Sequence, residues 1–447
     1  MLIFMNIISK KETFYNYIHL WYHLSINKNE LFESQGNIKT YREEIIMMLT
    51  KRIQNIKPAA TLALTGKVAE LRKQGIDVIA FNLGEPDFGT PQNICDAAKA
   101  AIDAQKTKYT VVSGIMDLKE AICAKFLKDN NVVYKPNEIC VGTGAKQPLV
   151  NAVLALCEEG DEVIIPTPCW VSYIEMVKLS GATPVLVQNR EEDGFALNVE
   201  GIKKAITPKT KAIMINTPNN PTGAVYTKEQ LTELAELAYK HDFYIISDEV
   251  YEKLIYEGKK HFCVASISEE VKDRTVVING VSKAYSMTGW RVGYAAGNAA
   301  LIKGMTSLQG HTTSNTCSIA QYAALEAISG PQDSVESMRV EFDKRRKFLV
   351  ERLNSMDGIT CNNADGAFYL MPNMTAFYDK EWNGKKIADS FGMADYLLAE
   401  AKIAVVPGGA FESPDNIRIA YSNSMESLIE GMNLSLIHIS EPTRPEP

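Results

Sequence analysis

A sustained apolar run is the first thing this sequence lacks. No stretch approaches the roughly 20 consecutive apolar residues that a membrane-spanning helix needs, so no span is expected. Positive charge is not in excess either. The 47 Lys and Arg are outnumbered by 54 Asp and Glu, for a net charge of −7, which removes the electrostatic footprint of a nucleic-acid binder or of a protein held on an anionic membrane. Histidine is scarce, with six in all. His241, His261 and His311 stand far apart and no His-Glu-x-x-His pattern occurs, so nothing in the sequence points to a metal. The eight cysteines (Cys95, Cys123, Cys140, Cys157, Cys169, Cys263, Cys317 and Cys361) include no Cys-x-x-Cys pair. A chain of 447 residues can bury a large core without disulfide staples, so these are expected as reduced thiols of a cytoplasmic protein.

Arginine is almost absent before Arg42, and Lys10, Lys11 and Glu12 interrupt the one apolar start. Residues 1–46 therefore suit neither a mitochondrial presequence nor a secretory signal. They are expected to be a non-native extension, with the authentic start at Met47 or Met48 and Arg42-Glu43-Glu44 a ribosome-binding sequence read as protein. At the other end, the run from Leu434 to Arg444 resembles a translated sequencing adapter. Residues 434–447 are set aside as an artefact that cuts short a helix from Ser424 to Asn433.

What is present is an alternation. From about residue 60, short Val/Ile-rich runs alternate with helical stretches, the pattern of a mainly parallel sheet covered by helices. Strands are expected at Glu138–Val141, Glu162–Ile165, Thr183–Val187, Ala212–Ile215, Phe243–Ser247 and Thr275–Ile278, and helices at Lys146–Glu158 and Lys228–His241. From about Gln332 the character shifts. Val335–Asp357 is amphipathic, while Gly366–Met371 and Ile417–Tyr421 read as antiparallel strands of a smaller α+β domain.

The polar clusters fall just after the expected parallel strands, where open α/β sheets bind ligands. In Ser282-Lys283-Ala284-Tyr285-Ser286-Met287-Thr288-Gly289-Trp290-Arg291, an amine and a guanidinium can surround one phosphorylated aldehyde. Such an amine forms a Schiff base with pyridoxal phosphate, and the arginine forks its donors onto the phosphate. Gly142-Thr143-Gly144-Ala145-Lys146 can bring backbone N–H groups to a phosphate at a helix N-terminus, though an ordinary strand–helix turn accounts for it equally. Trp170 can stack on a planar ring or simply fill the core. In Asn216-Thr217-Pro218-Asn219-Asn220-Pro221-Thr222-Gly223, Asn220 can donate to a phenolic oxygen. Asp248, in Ser247-Asp248-Glu249-Val250-Tyr251, needs a cationic partner if buried. A protonated pyridine is one, and a helix N-cap is the other reading.

Taken in order, Asn82-Leu83-Gly84-Glu85-Pro86-Asp87-Phe88, Lys108-Tyr109-Thr110, the Gly144 loop, the Asn220 turn, the Asp248 strand end and the Lys283 run resemble the class I aminotransferases of fold type I. Among these they resemble the bacterial aspartate aminotransferases with a lysine after the phosphate loop, from about Thr50 to Asn433. The resemblance implies an α/β fold, a mainly parallel seven-stranded sheet sandwiched by helices with a smaller α+β domain. It divides the chain into an N-terminal arm and start of the small domain (47–94), a large cofactor-binding domain (95–330) and a small domain (331–433). It also implies pyridoxal 5′-phosphate held by Lys283, with Asp248 at the pyridine nitrogen and Tyr251 and Asn220 at the phenolic oxygen. Gly144, Ala145, Ser282 and Arg291 would take the phosphate, joined by Tyr109 of a neighbouring subunit in a homodimer with shared active sites. Trp170 would stack on the ring, Arg418 and Gly84 would receive the substrate α-carboxylate, and Lys146 its distal carboxylate.

The implied reaction is ping-pong transfer of the amino group of aspartate to 2-oxoglutarate. Small amino and 2-oxo acids are then the partners, without nucleic acid or membrane. Relatives with the same residues act on prephenate or aromatic acids. A carbon–sulfur β-lyase would use the same lysine without a distal clamp. A transcription regulator with an aminotransferase-like domain would need a basic winged-helix module, for which residues 1–46 are too short. One departure stands out: in Lys57-Pro58-Ala59-Ala60-Thr61, Ala59 and Ala60 stand where a Pro-Ser-Ala-Thr pattern is expected before the active-site entry.

Overall fold

The computed structural model describes residues 50–58, 60–382 and 384–440. The expected extension, both candidate start methionines and Ala59 lie outside them. Residues 50–56 belong to a unit of their own, in which Thr50 caps the short helix Lys51–Gln54.

The six expected strands are all present and a seventh joins them: β1 (Ile139–Thr143), β2 (Glu162–Thr167), β3 (Thr183–Gln188), β4 (Thr210–Asn216), β5 (Tyr244–Asp248), β6 (Thr275–Gly280) and β7 (Val292–Ala296). They form one sheet in the order β1-β7-β6-β5-β4-β2-β3. Only β7 runs antiparallel to its neighbours. Each of the six runs past its expected C-terminal end. Apolar patterning stops where the side chains turn polar, but the hydrogen-bonded ladder continues, pairing Asn216 with Asp248 on its last rung. Those extra rungs carry the polar residues of the site.

Alternate strand residues face opposite layers, as the pleat requires. Cys140, Val276, Ile278 and Ala295 pack with Leu149 and Val153 of helix Lys146–Leu156 and with Met305 of helix Ala299–Thr312. Ile139, Val141, Val277 and Tyr294 face the other way, onto helices Gln92–Asp103, Met116–Asn130 and Ser318–Ser329. Helix Lys228–His241 covers Ile213, Ile215 and Ile245 on that second face. Its start is specified by a reciprocal cap: Thr227 Oγ1 accepts from Gln230 N at 3.3 Å, and Gln230 Oε1 accepts from Thr227 N at 3.0 Å. Thr227→Ala is expected to cost about 1 kcal/mol in chemical denaturation, without loss of activity.

After helix Asp333–Asn354, strands Val406–Pro407, Ile417–Ala420 and Tyr369–Leu370 form a small antiparallel sheet with Ile417–Ala420 in the centre. Its core of Phe342, Phe368, Leu397 and Ile419 also takes in Phe81, Tyr251 and Leu254. Ile79–Ala80 pairs in parallel with Ile403–Ala404, fixing the segment ahead of Asn82 onto this later part of the chain. The helix expected to end at Asn433 runs Met425–Ser440, so the backbone stays helical through 434–440. Among the described residues no helix is long and apolar enough to cross a membrane.

Candidate active site

The carboxyl ends of β4, β5 and β6 open into a cavity of about 410 Å³. Asp248 is the last residue of β5 and is buried. No helix follows it, so the N-cap reading is not what the structure shows. Instead Tyr173 Oη donates to Asp248 Oδ2 at 2.7 Å and the Val250 amide donates to Oδ1 at 3.3 Å. Burial pushes this carboxyl up to about 6, with Glu249 adding to the rise, although the two donors and Lys283 oppose it. Behind it the neighbouring acids have partners of their own. Glu249 accepts from Ser247 Oγ at 2.9 Å and pairs with His261 Nε2 at 2.7 Å, while Glu252 pairs with Lys125.

Lys283 follows β6 and reaches into the cavity, where its ammonium donates to the Gly84 carbonyl. Burial lowers its pKa to about 8, helped by Arg418 and Arg291 and opposed by Glu85 and Asp248. Arg291 stands just before β7 with a left-handed backbone (φ 58°). Its Nη1 donates to the Thr288 carbonyl at 3.0 Å. Gly144 also has positive φ, 68°, and a Cβ there would meet Arg291 Nη2 at 2.3 Å. The left-handed backbone there favours glycine. Ala145 and Ser282 line the cavity beside them, where helix Lys146–Leu156 begins.

Arg418 lies in the central strand of the small sheet, 2% exposed. Its Nη1 donates to Asn220 Oδ1 and its Nη2 to the Asn82 carbonyl, both at 2.9 Å. Its Nε is buried with no partner. Lys146 Nζ sits 4.6 Å above the Trp170 ring, and burial together with Arg291 lowers its pKa. Trp170 packs edge-on against Tyr173, so the aromatic wall and the Asp248 donor form one piece.

The structure thus brings Gly84, Ala145, Lys146, Trp170, Asn220, Asp248, Tyr251, Ser282, Lys283, Arg291 and Arg418 around one cavity, with Gly144 against Arg291. Tyr109 is not among the lining residues and is 89% exposed. Tyr173 and Tyr369 also line the cavity, and the sequence motifs gave neither of them a role. Tyr173 stands three positions after Trp170, a spacing that places both on one side of a helical turn. Tyr369 Oη lies 2.9 Å from Tyr251 Oη.

Residues 76–432 match the family described as aminotransferase class I and II. The chain belongs to this aminotransferase family. It is 50% identical over 385 residues to an aspartate aminotransferase of Bacillus sp. (strain YM-2), an alignment covering 86% of this chain and 97% of the relative. To an aspartate/prephenate aminotransferase of Cereibacter sphaeroides it is 49% identical over 384 residues, covering 86% and 96%. Among solved structures, the aspartate aminotransferase of Thermus thermophilus with maleate superposes with a TM-score of 0.82 at 41% identity, covering 87% of this chain and 99% of that one. The aminotransferase therefore shares with these relatives nearly their full length.

Proposed function

We propose that this aminotransferase moves the amino group of aspartate to 2-oxoglutarate with pyridoxal 5′-phosphate in the cavity described above. The observation that carries this reading is a lowered-pKa lysine, a raised-pKa aspartate and an incompletely partnered arginine, Lys283, Asp248 and Arg418, in one cavity. The donor set fits the cofactor. The buried Asp248 carboxylate calls for a cationic ring nitrogen, and the Gly144–Arg291 approach leaves a side-chain-free cradle beside a helix N-terminus for a phosphate. Tyr251 and Asn220 supply donors for the phenolic oxygen, and Trp170 a face for the ring.

The cofactor, when bound, supplies an electron sink for the pair left at the substrate Cα. Lys283 would take the Cα proton and pass it to the cofactor's C4′ carbon. With a pKa of about 8, about a tenth of its amine is neutral at pH 7, against less than about a thousandth for an ordinary lysine. Asp248 keeps a proton on the ring nitrogen, and Tyr173 holds that carboxylate in place. Arg418 receives the α-carboxylate, and Lys146 the distal one.

Lys146→Ala is expected to lower kcat/KM for aspartate by about 10- to 100-fold, the worth of a charge-assisted hydrogen bond. Aromatic donors should lose less than about threefold, and equal losses would remove the specificity role. Tyr109, exposed on the single chain, would complete the phosphate site of a second copy in a homodimer. The eight free thiols suit a cytoplasmic enzyme. A second reading, prephenate as amino acceptor, is favoured by the Cereibacter relative's name. Comparing kcat/KM for aspartate with 2-oxoglutarate and with prephenate decides between them, and pyruvate release from cystathionine without transamination would overturn both.

A further inference from the structure

We propose that Tyr369 is a positioning residue that couples the carboxylate arginine Arg418 to the phenol Tyr251, donating to Tyr251 so that the latter's own proton points into the cavity. The inference rests on the cofactor reading above.

The register of the small sheet sets up the contact. Tyr369 pairs with Ala420, and Arg418 lies two residues along the same strand. Side chains two apart share a face, so Arg418 and Tyr369 are diagonal cross-strand neighbours. The guanidinium lies over the Tyr369 ring, 4.5 Å from its centroid, with Phe411 at 4.9 Å to the same group. These faces hold a buried cation whose hydrogen-bond acceptors among the described residues are Asn220 Oδ1 and the Asn82 carbonyl. The other end of the same side chain reaches Tyr251, with the two phenolic oxygens 2.9 Å apart and both residues buried. The same hydroxyl abuts Gly84, where a Cβ would meet it at 2.8 Å, so its position is confined from the third side.

One contact between two phenols leaves open which of them donates, and the surroundings choose. The Arg418 guanidinium lies 4.5 Å from the Tyr369 ring centroid, whereas the cation over Tyr251, Lys283, is 5.9 Å from its centroid, so the nearer cation makes Tyr369 the more acidic phenol. The more acidic phenol is the better donor, so Tyr369 gives its proton and Tyr251 keeps its own for a ligand. The charged groups around this pair are Asp248 and Lys283 at the strand ends and Arg418 in the small sheet. Glu85, Lys146 and Arg291 also line the cavity.

The test is a pH titration of the visible absorbance of the enzyme reconstituted with pyridoxal phosphate, alongside the dissociation constant for maleate. Losing a donor to the phenolic oxygen leaves that oxygen holding the neighbouring proton more tightly. Tyr369→Phe keeps the ring and is expected to raise the titration midpoint by about half a unit to one unit, with maleate affinity unchanged within about twofold. Tyr369→Leu also removes the aromatic face and is expected to weaken maleate by roughly tenfold. In a Tyr251→Phe background, Tyr369→Phe should produce no further shift. A wild-type midpoint in Tyr369→Phe, or an equal shift in both backgrounds, overturns the coupling while leaving the cofactor reading intact. A wild-type band that does not move with pH also overturns the coupling alone, and no visible band at all overturns both.

Discussion

Lys283→Ala is expected to remove the visible absorbance of the protein reconstituted with pyridoxal phosphate and to lower kcat by about 10⁴-fold. The expectation follows from where the amine is and what surrounds it. Lys283 is in the cavity, its only hydrogen bond among the described residues is to the Gly84 carbonyl, and burial lowers its pKa to about 8. No other lysine lining the cavity can replace it: Lys146 lies over Trp170. The fold should survive, because the substitution deletes a buried cation and leaves one carbonyl to water. Absorbance spectra and thermal unfolding of the same sample separate these points, and an unchanged spectrum would refute the assignment.

Asp248→Asn is expected to lower kcat by about 10²- to 10³-fold, the effect of losing the carboxylate that would keep the ring nitrogen protonated. The dissociation constant for maleate should stay put, because Arg418 and Lys146 are untouched. The apoprotein should respond in the opposite sense. The folded-state pKa of Asp248 is raised to about 6 from 3.8. Its ionisation therefore costs nothing below pH 3.8, destabilises progressively as pH rises, and costs about 3 kcal/mol above pH 6. Asparagine removes that penalty. The apo variant should be the more stable protein at pH 7, with the advantage disappearing in acid. Denaturation curves at both pH values check the sign, and equal stability at pH 7 would remove the charge argument.

Most of the large sheet was legible because its strands are continuous apolar runs between turn residues. β7 was not. Val292-Gly293-Tyr294-Ala295-Ala296 is half small residues, and its direction depends on pairing with β1 and β6 rather than on its own composition. Placement at the cavity was legible for residues near strand ends in long polar motifs, as with Asn220, Asp248 and Lys283. Tyr369 and Tyr173 escaped for a different reason. Each lies in an apolar stretch where an aromatic has an ample core explanation, and only tertiary contact with Tyr251 or Asp248 gives its hydroxyl a purpose. That Asp248 does not cap a helix is likewise tertiary information: no helix follows it, and Tyr173 from another element donates to it.

The reversed direction of β7 has a consequence for how this enzyme can vary. A parallel crossover would carry the chain to the far edge of the sheet before returning. Because β6 and β7 are antiparallel, the connection between them leaves and re-enters at the same edge, with Lys283 near its start and Arg291 at its end. The two groups proposed to hold the cofactor's aldehyde and its phosphate, which sit on neighbouring ring carbons, are thus spaced by one short loop, which sets the gap between them. Insertions in the helical crossovers elsewhere can be absorbed at the surface. A single residue added between Met287 and Arg291 would alter the gauge itself.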